Sequence, residues 1–414
     1  MKKGLNENMN KKLSLGVCIS LIAVACAVTF VLTMELSRDN FNERIAGVDE
    51  REAIYAKLQN IDSYVRNNFF APIDEERLVN AIMSGYMAGL GDNKSRYIPD
   101  AEFYELQQYT RGRVVTAGIQ VVRNENGYIR ITDVYEGSSA DLQGIEVDDI
   151  ITSINNIQVL EIGAESAIRL LSGEEGVRLV ITIQRDGEER RFTLMRQDIE
   201  LITAKGAQYG DFGFIRISAF AENTGEQFER ALNEALANNA KGLIIDLRGT
   251  SGSLIAPQRQ ILDRLLPRCT AAIAELRNGS FNNIIEITGD EFIALPVTVI
   301  TDGGTAEGGE LLAAVLKDFA GAQIVGTATK GDPIFTTTQS LGDGSAVLLS
   351  IMKVRSGGGT SFDGEGIRPD FLVELTTPAE TNFNNLAETR DLQIRKAFEV
   401  TEARISQTTI QEDN

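Results

Sequence analysis

The stretch from Pro296 to Ala320, PVTVITDGGTAEGGELLAAVLKDFA, limits most tightly what this chain can fold into. Val297 to Thr301 is a short β-branched run that reads as a buried strand. Asp302-Gly303-Gly304 breaks it, and Glu310 to Phe319 then carries apolar residues at helical spacing. The tight turn between them exposes one residue beside a helix N-terminus, whose backbone N–H groups can stabilise an oxyanion. A nucleophile is expected there. The turn offers Thr305, Glu307 and glycines, with neither Ser nor Cys.

The same unit recurs upstream. Gly242 to Leu247 (GLIIDL) is a buried strand that runs into Arg248-Gly249-Thr250-Ser251-Gly252-Ser253, and a helix follows to Leu266. Gly213 to Ser218 reads as a strand and Thr224 to Ala237 as an amphipathic helix, with Phe228, Leu232 and Ala235 on its buried face. Strands alternating with helices predict a sheet covered by helices. From Thr377 the chain turns polar and helix-prone, and its end is expected to be a solvated tail.

Composition narrows the chemistry. The 414 residues contain no histidine, which excludes a Ser-His-Asp or Cys-His arrangement and any imidazole metal site. Catalysis would have to use Lys, carboxylates, hydroxyls or backbone donors. A formal charge of −19 argues against nucleic-acid binding, which draws most of its affinity from a basic surface. Of three cysteines, Cys18 and Cys26 lie in an apolar N-terminal run, so Cys269 has no partner for an internal disulfide.

That run, Leu13 to Met34, carries no charge and follows Lys2, Lys3, Lys11 and Lys12. It exceeds the ~20 residues that span a bilayer and continues past Ala23-Val24-Ala25, a small-residue cleavage site. The expectation is an uncleaved single-pass anchor in the cell membrane, N-terminus inside and the bulk of the chain outside. A linker follows over 35–48. Ile54, Leu58, Ile61 and Val65 then mark two or three amphipathic helices before Gly91-Asp92.

Residues 112–199 have a different texture, with short strands at Ile119–Val122, Tyr128–Val134, Ile150–Ile154, Leu179–Gln184 and Phe192–Met195 around one helix from Ala164 to Leu171. Gly118-Ile119-Gln120-Val121, Glu136 to Ile145, and Asp148-Asp149-Ile150-Ile151 with Ile154-Asn155-Asn156 resemble the motifs of a PDZ domain, with Asp148 where Gly is usual. The resemblance implies that a peptide adds as an extra strand while backbone N–H groups of the Gly118–Val121 loop take its terminal carboxylate.

Taken in order, the segments from about 50 to 375 resemble the carboxy-terminal processing peptidases, or tail-specific proteases. Gly91-Asp92 with Ser95 and Tyr97, Ser218-Ala219-Phe220 with Asn223-Thr224, Asp246-Leu247-Arg248 with Gly252-Ser253, Leu341 to Ala346, and Gly364 to Asp370 match that family's motifs. The implied fold is an α/β (α+β) peptidase core with an inserted β-rich PDZ domain, preceded by a transmembrane helix and a helical N-terminal segment. The segments are 1–12 cytoplasmic tail, 13–34 anchor, 35–48 linker, 49–111 helical, 112–199 PDZ domain, 200–376 core and 377–414 polar tail.

The resemblance also implies a Ser nucleophile with a Lys base. Aligned on Gly304 to Glu310, the Ser position holds Glu307. Aligned on Val325 to Thr336, the Lys position holds Asp332. Both halves of the dyad are replaced, and two nearby carboxylates would repel each other. Gly252, Ser253 and Gly308 remain as oxyanion-loop candidates.

Three readings follow. The first is a membrane-anchored pseudopeptidase that binds polypeptide C-termini through its PDZ domain, with an active peptidase or another extracytoplasmic protein as a further partner. The second is an active endopeptidase with a shifted dyad, Thr305 and Lys330, which stand as far apart in sequence as Glu307 and Asp332 do. The third places a hard divalent cation on two or three oxygen ligands, Glu307 and Asp332 with Asp318 as an optional third, although nothing in the sequence fixes their geometry. No metal and no cofactor is expected.

Overall fold

The computed structural model describes residues 48–374 and 391–412, with Val28, Thr29 and Met34. The expected anchor at 13–34 lies almost wholly outside the described residues. Among the described residues, no helix is long and apolar enough to cross a membrane. The chain divides into two compact units, Met1–Val79 and Asn80–Asn414.

In the first unit α1 (Val48–Asn68) is tied to the start of α2 (Glu75–Ala88) by Arg66, which donates to both Asp62 and Glu75. The helices occur where periodicity places them. The stripe of Ile54, Leu58 and Ile61, however, is exposed rather than buried.

The second unit opens with β1 (Arg96–Ile98) and α3 (Asp100–Thr110). A two-stranded stem, β2 (Arg113–Thr116) against a later strand (Gln197–Glu200), brackets the next domain. Within the bracket lie β3 (Ile119–Arg123), β4 (Ile129–Val134), the short α4 (Ser139–Leu142), β5 (Ile150–Ile154) and β6 (Ile157–Gln158). Two short helices, α5 (Val159–Ile162) and α6 (Ala164–Arg169), precede β7 (Arg178–Arg185) and β8 (Glu188–Met195), and the stem closes with β9 (Gln197–Glu200). The strands run β3-β4-β5-β7-β8, with β6 on β5, around a separate core that includes Ile129, Ile131, Ile154, Leu179 and Ile181. Asp148 has φ 73°, a conformation that favours Gly, and Arg130 holds its carboxylate at 2.6 Å. β3 ends the sheet, so its outer edge is open for another strand.

The remaining chain builds two sheets on one core. The first comprises β10 (Ala204–Tyr209), β11 (Phe212–Ile217), β12 (Gly242–Asp246), β15 (Val297–Thr301), β16 (Gln323–Gly326) and β19 (Phe371–Leu372), in that order and parallel from β11 onward. The second is antiparallel and uses β13 (Cys269–Leu276), β14 (Phe281–Ile287), β17 (Ile334–Ser340) and β18 (Ala346–Ser356), with β1 beside β18. Helices α7 (Thr224–Ala237), α8 (Ile255–Leu265) and α9 (Gly308–Ala320) fill the core these sheets share through Phe228, Ile261, Leu262, Leu311 and Leu312.

The second face of the parallel sheet corrects the expectation of a solvated tail. α10 (Leu392–Glu412) packs Ile394, Ala397 and Val400 against Phe214, Ile244, Ile300 and Val325. β12 and β15 are buried at every position because they are covered on both faces.

Candidate functional site

The site forms where the loops after β12, β15 and β16 meet, at the C-terminal ends of parallel strands. The first loop is anchored by Asp246, fully buried at the end of β12. Burial pushes its carboxyl pKa up, but the Arg216 and Arg248 guanidiniums outweigh that and hold it at about 2. Arg216 donates to Asp246 at 2.7 Å, and Arg248 donates to both its oxygens at 2.9 and 2.7 Å. Arg248 also donates to Asp391, just ahead of α10, at 2.5 Å.

The turn after β15 is held by Asp302, whose Oδ1 accepts from the N–H groups of Gly249, Gly304 and Thr305. Thr305 is fully buried. Its hydroxyl donates to the Leu247 carbonyl at 2.8 Å and accepts from the Asp302 N–H at 3.0 Å. The Lys330 side chain is 60% exposed and lies 3.7 Å from Asp332. The structure therefore does not assemble the shifted Thr305/Lys330 dyad: the hydroxyl proton is committed to a carbonyl in the core, and the amine is a solvated loop charge.

Glu307 stands at the elbow that starts α9, with φ 50° and ψ −113°. Its carboxylate turns back into the site. One oxygen accepts from the Gly252 N–H at 2.9 Å and lies 3.4 Å from the Ser253 hydroxyl. The other meets the Lys94 ammonium at 2.6 Å. Lys94 also reaches Asp332 at 2.7 Å and donates to the Ile334 carbonyl at 2.7 Å. The expected repulsion between Glu307 and Asp332 is thus relieved by a cation set between them. The three side chains are each under a fifth exposed.

The oxyanion-loop candidates are largely engaged within the loop itself. The Gly252 N–H serves Glu307, and the Ser253 hydroxyl also accepts from the Thr336 N–H. The Gly308 N–H donates to the Gly252 carbonyl at 3.1 Å, so it is not free as sequence reasoning expected. A Cβ at Gly308 would sit 2.4 Å from that carbonyl oxygen, which is why the elbow needs glycine there. Beside Gly252 and Ser253 opens a cavity of about 530 Å³ lined by Phe103, Leu106, Phe220 and Leu254.

Two residues of the site escaped sequence reasoning. Lys94 lies inside the Gly91–Tyr97 motif, at a position the motif leaves open. Glu310, buried in the first turn of α9, accepts from Thr329 Oγ1 and the N–H groups of Gly331, Asp332 and Glu307. It fixes the loop that carries Asp332 against the elbow. Asp318 is not part of the site, because its carboxylate accepts from the N–H and hydroxyl of Thr360. The cation reading therefore loses its optional ligand Asp318 and keeps only Glu307 and Asp332, which share the Lys94 ammonium. Among the described residues no group of three or more His, Cys, Asp or Glu side chains could hold a metal ion.

In the PDZ-like domain, Gly118 precedes the open edge of β3, and its carbonyl accepts from the Tyr135 N–H and the Ser138 hydroxyl. Ile119 is buried, Val121 packs against the domain core, and Gln120 donates to the Tyr135 hydroxyl at 2.8 Å.

Comparison with known proteins agrees with both domains. Residues 211–373 match Peptidase family S41, and residues 130–185 match the PDZ domain. A protein of Staphylococcus aureus described as a CtpA-like serine protease is 24% identical over 380 residues, covering 91% of this chain and 76% of its own. A Staphylococcus epidermidis protein of the same description is 22% identical over 378 residues, covering 90% and 75%. A solved structure from Bacteroides fragilis, described as a candidate S41 protease, superposes with a TM-score of 0.53 at 14% identity, covering 83% of this chain and 97% of its own. Residues 211–373 thus match a peptidase family S41 core with a PDZ domain ahead of it, and the chain as a whole is similar to CtpA-like serine proteases.

Proposed function

We propose that this chain is a membrane-anchored, extracytoplasmic pseudopeptidase that binds polypeptide C-termini through its PDZ domain. The observation that carries the reading is the Glu307 carboxylate seated on the Gly252 N–H and clamped by Lys94. Acyl transfer needs a nucleophile with a base to take its proton and free donors for the oxyanion. Here the elbow residue is itself an anion, the cation beside it is saturated by two carboxylates and a carbonyl, and the Gly252 and Gly308 N–H groups are engaged. The PDZ domain keeps what β-strand addition requires, an open β3 edge beside the Gly118–Val121 loop. The polypeptide bound there would be held and delivered to a partner, such as an active peptidase, rather than cut. The apolar run at 13–34 would keep the chain at the membrane.

The test uses the full chain in detergent with an unstructured polypeptide ending in an apolar residue. The expected result is binding without cleavage, abolished when the terminal carboxylate is amidated. Gly118→Val, whose Cβ would lie 2.2 Å from Ser138, should weaken binding at least about tenfold. Cleavage by the parent that is absent from a mock preparation and lost in Thr305→Ala would sink the proposal.

A further inference from the structure

Glu307 is a ligand as well as a side chain. Its carboxylate rests among three groups that belong to other parts of the fold: the Gly252 N–H at 2.9 Å, the Ser253 hydroxyl at 3.4 Å and the Lys94 ammonium at 2.6 Å. Two come from the loop after β12 and the third from the loop before β1. The set holds a charge-matched cation and an aimed amide, which is what recognition of a carboxylate requires. Two of its members also line the cavity of about 530 Å³ whose walls include Phe103, Leu106, Phe220 and Leu254. A carboxylate seat beside a cavity with one apolar wall, Phe103, Leu106, Phe220 and Leu254, and one polar wall, Thr336 to Thr338, has the outline of a polypeptide's last residue, with its free acid, side chain and backbone.

We propose that the core carries a second site for polypeptide C-termini, formed by Lys94, Gly252 and Ser253, which Glu307 occupies as an internal ligand. The site deepens the reading above and rests on it for the class of ligand alone, since it shares no residue with the PDZ domain. Glu307 leaves it by rotating its side chain, which gives up the cap its carboxylate places on the Glu310 N–H, while the Glu310 carboxylate still accepts from the Glu307 N–H and pins the elbow. An external carboxylate binds only in the fraction of molecules whose seat is vacated, so its apparent affinity is lowered by that fraction. Asp332 keeps Lys94 in place when Glu307 swings out, because it holds the ammonium independently at 2.7 Å. The internal carboxylate thus sets a threshold that a bound chain end must exceed.

The test measures anisotropy of a labelled Gly/Ser peptide ending in Leu, as free acid and as amide, with the full chain carrying Gly118→Val to disable the PDZ groove. In that background Glu307→Ala should tighten the free acid at least about tenfold, the scale of one charge-assisted hydrogen bond. Adding Lys94→Met should remove the gain, and the amide should show none. Glu307→Gln, which keeps the side chain's size without its charge, should gain less than Ala. If Glu307→Ala gains nothing, or binds the amide as tightly as the acid, the second site does not exist. Should the Ala variant fail to fold by circular dichroism, the Gln variant decides in the same way. Failure of the PDZ reading looks different, because Gly118→Val alone would then leave the parent's affinity unchanged.

Discussion

Glu307 sits at an elbow whose φ of 50° is uncommon outside glycine, and Lys94 answers its charge from a loop 213 residues earlier in the chain. That pairing is the electrostatic keystone of the site. Lys94→Met would leave two carboxylates facing each other with their shared cation gone. It is expected to cost about 1–3 kcal/mol in urea unfolding, below the figure for a fully buried pair because the groups keep some solvent. Glu307 and Asp332 were singled out in the sequence by their alignment on the dyad positions of known motifs, and the fold brings both onto one ammonium. Lys94 was not, since partnership across such a distance exists only once the fold is formed. The shifted Thr305/Lys330 dyad failed for a related reason. Equal spacing in sequence says nothing of burial, and the Thr305 hydroxyl turned out to be a structural tie to Leu247.

At the scale of elements, the parallel sheet explains why α10 is needed. The runs GLIID and VTVIT are apolar or neutral at almost every position, which signals cover on both faces. The segment that supplies the second cover reads as polar because only one stripe of it is apolar. Ile394→Ala and Val400→Ala together should cost about 2–5 kcal/mol and lower the urea midpoint without changing the stem or the PDZ domain. The Arg216–Asp246–Arg248 cluster adds a pH dependence. Asp246 has its folded pKa lowered from 3.8 to about 2, so its contribution is fully present above about pH 4. As the pH falls toward 2 that contribution, about 2 kcal/mol, is lost. Asp246→Asn should be less stable at pH 7 and should lose this part of the acid slope between pH 4 and pH 2.

At the scale of the whole molecule, the PDZ domain ahead of the peptidase core was legible, because each motif run keeps its place along the chain. The antiparallel sheet was not. β13 reads CTAAIAEL, whose alanines favour a helix when taken alone, and β17 is rich in exposed Thr. Tertiary pairing with β18 makes both of them strands. The PDZ domain has its own core and joins the rest through the β2–β9 stem. Calorimetry should therefore resolve more than one unfolding transition, with the ratio of van't Hoff to calorimetric enthalpy below one. A single two-state transition would mean that the stem transmits cooperativity between the cores.

The bond from Arg248 to Asp391 bears on how the molecule is made. A chain emerging in order exposes β12, β15 and Arg248 long before Asp391 and α10 arrive. Until then the parallel sheet shows water an apolar face, and a buried-to-be guanidinium lacks one of its carboxylates. That face of the core is closed only when α10 docks, and a copy lacking it would keep an open, adhesive sheet for quality control to find.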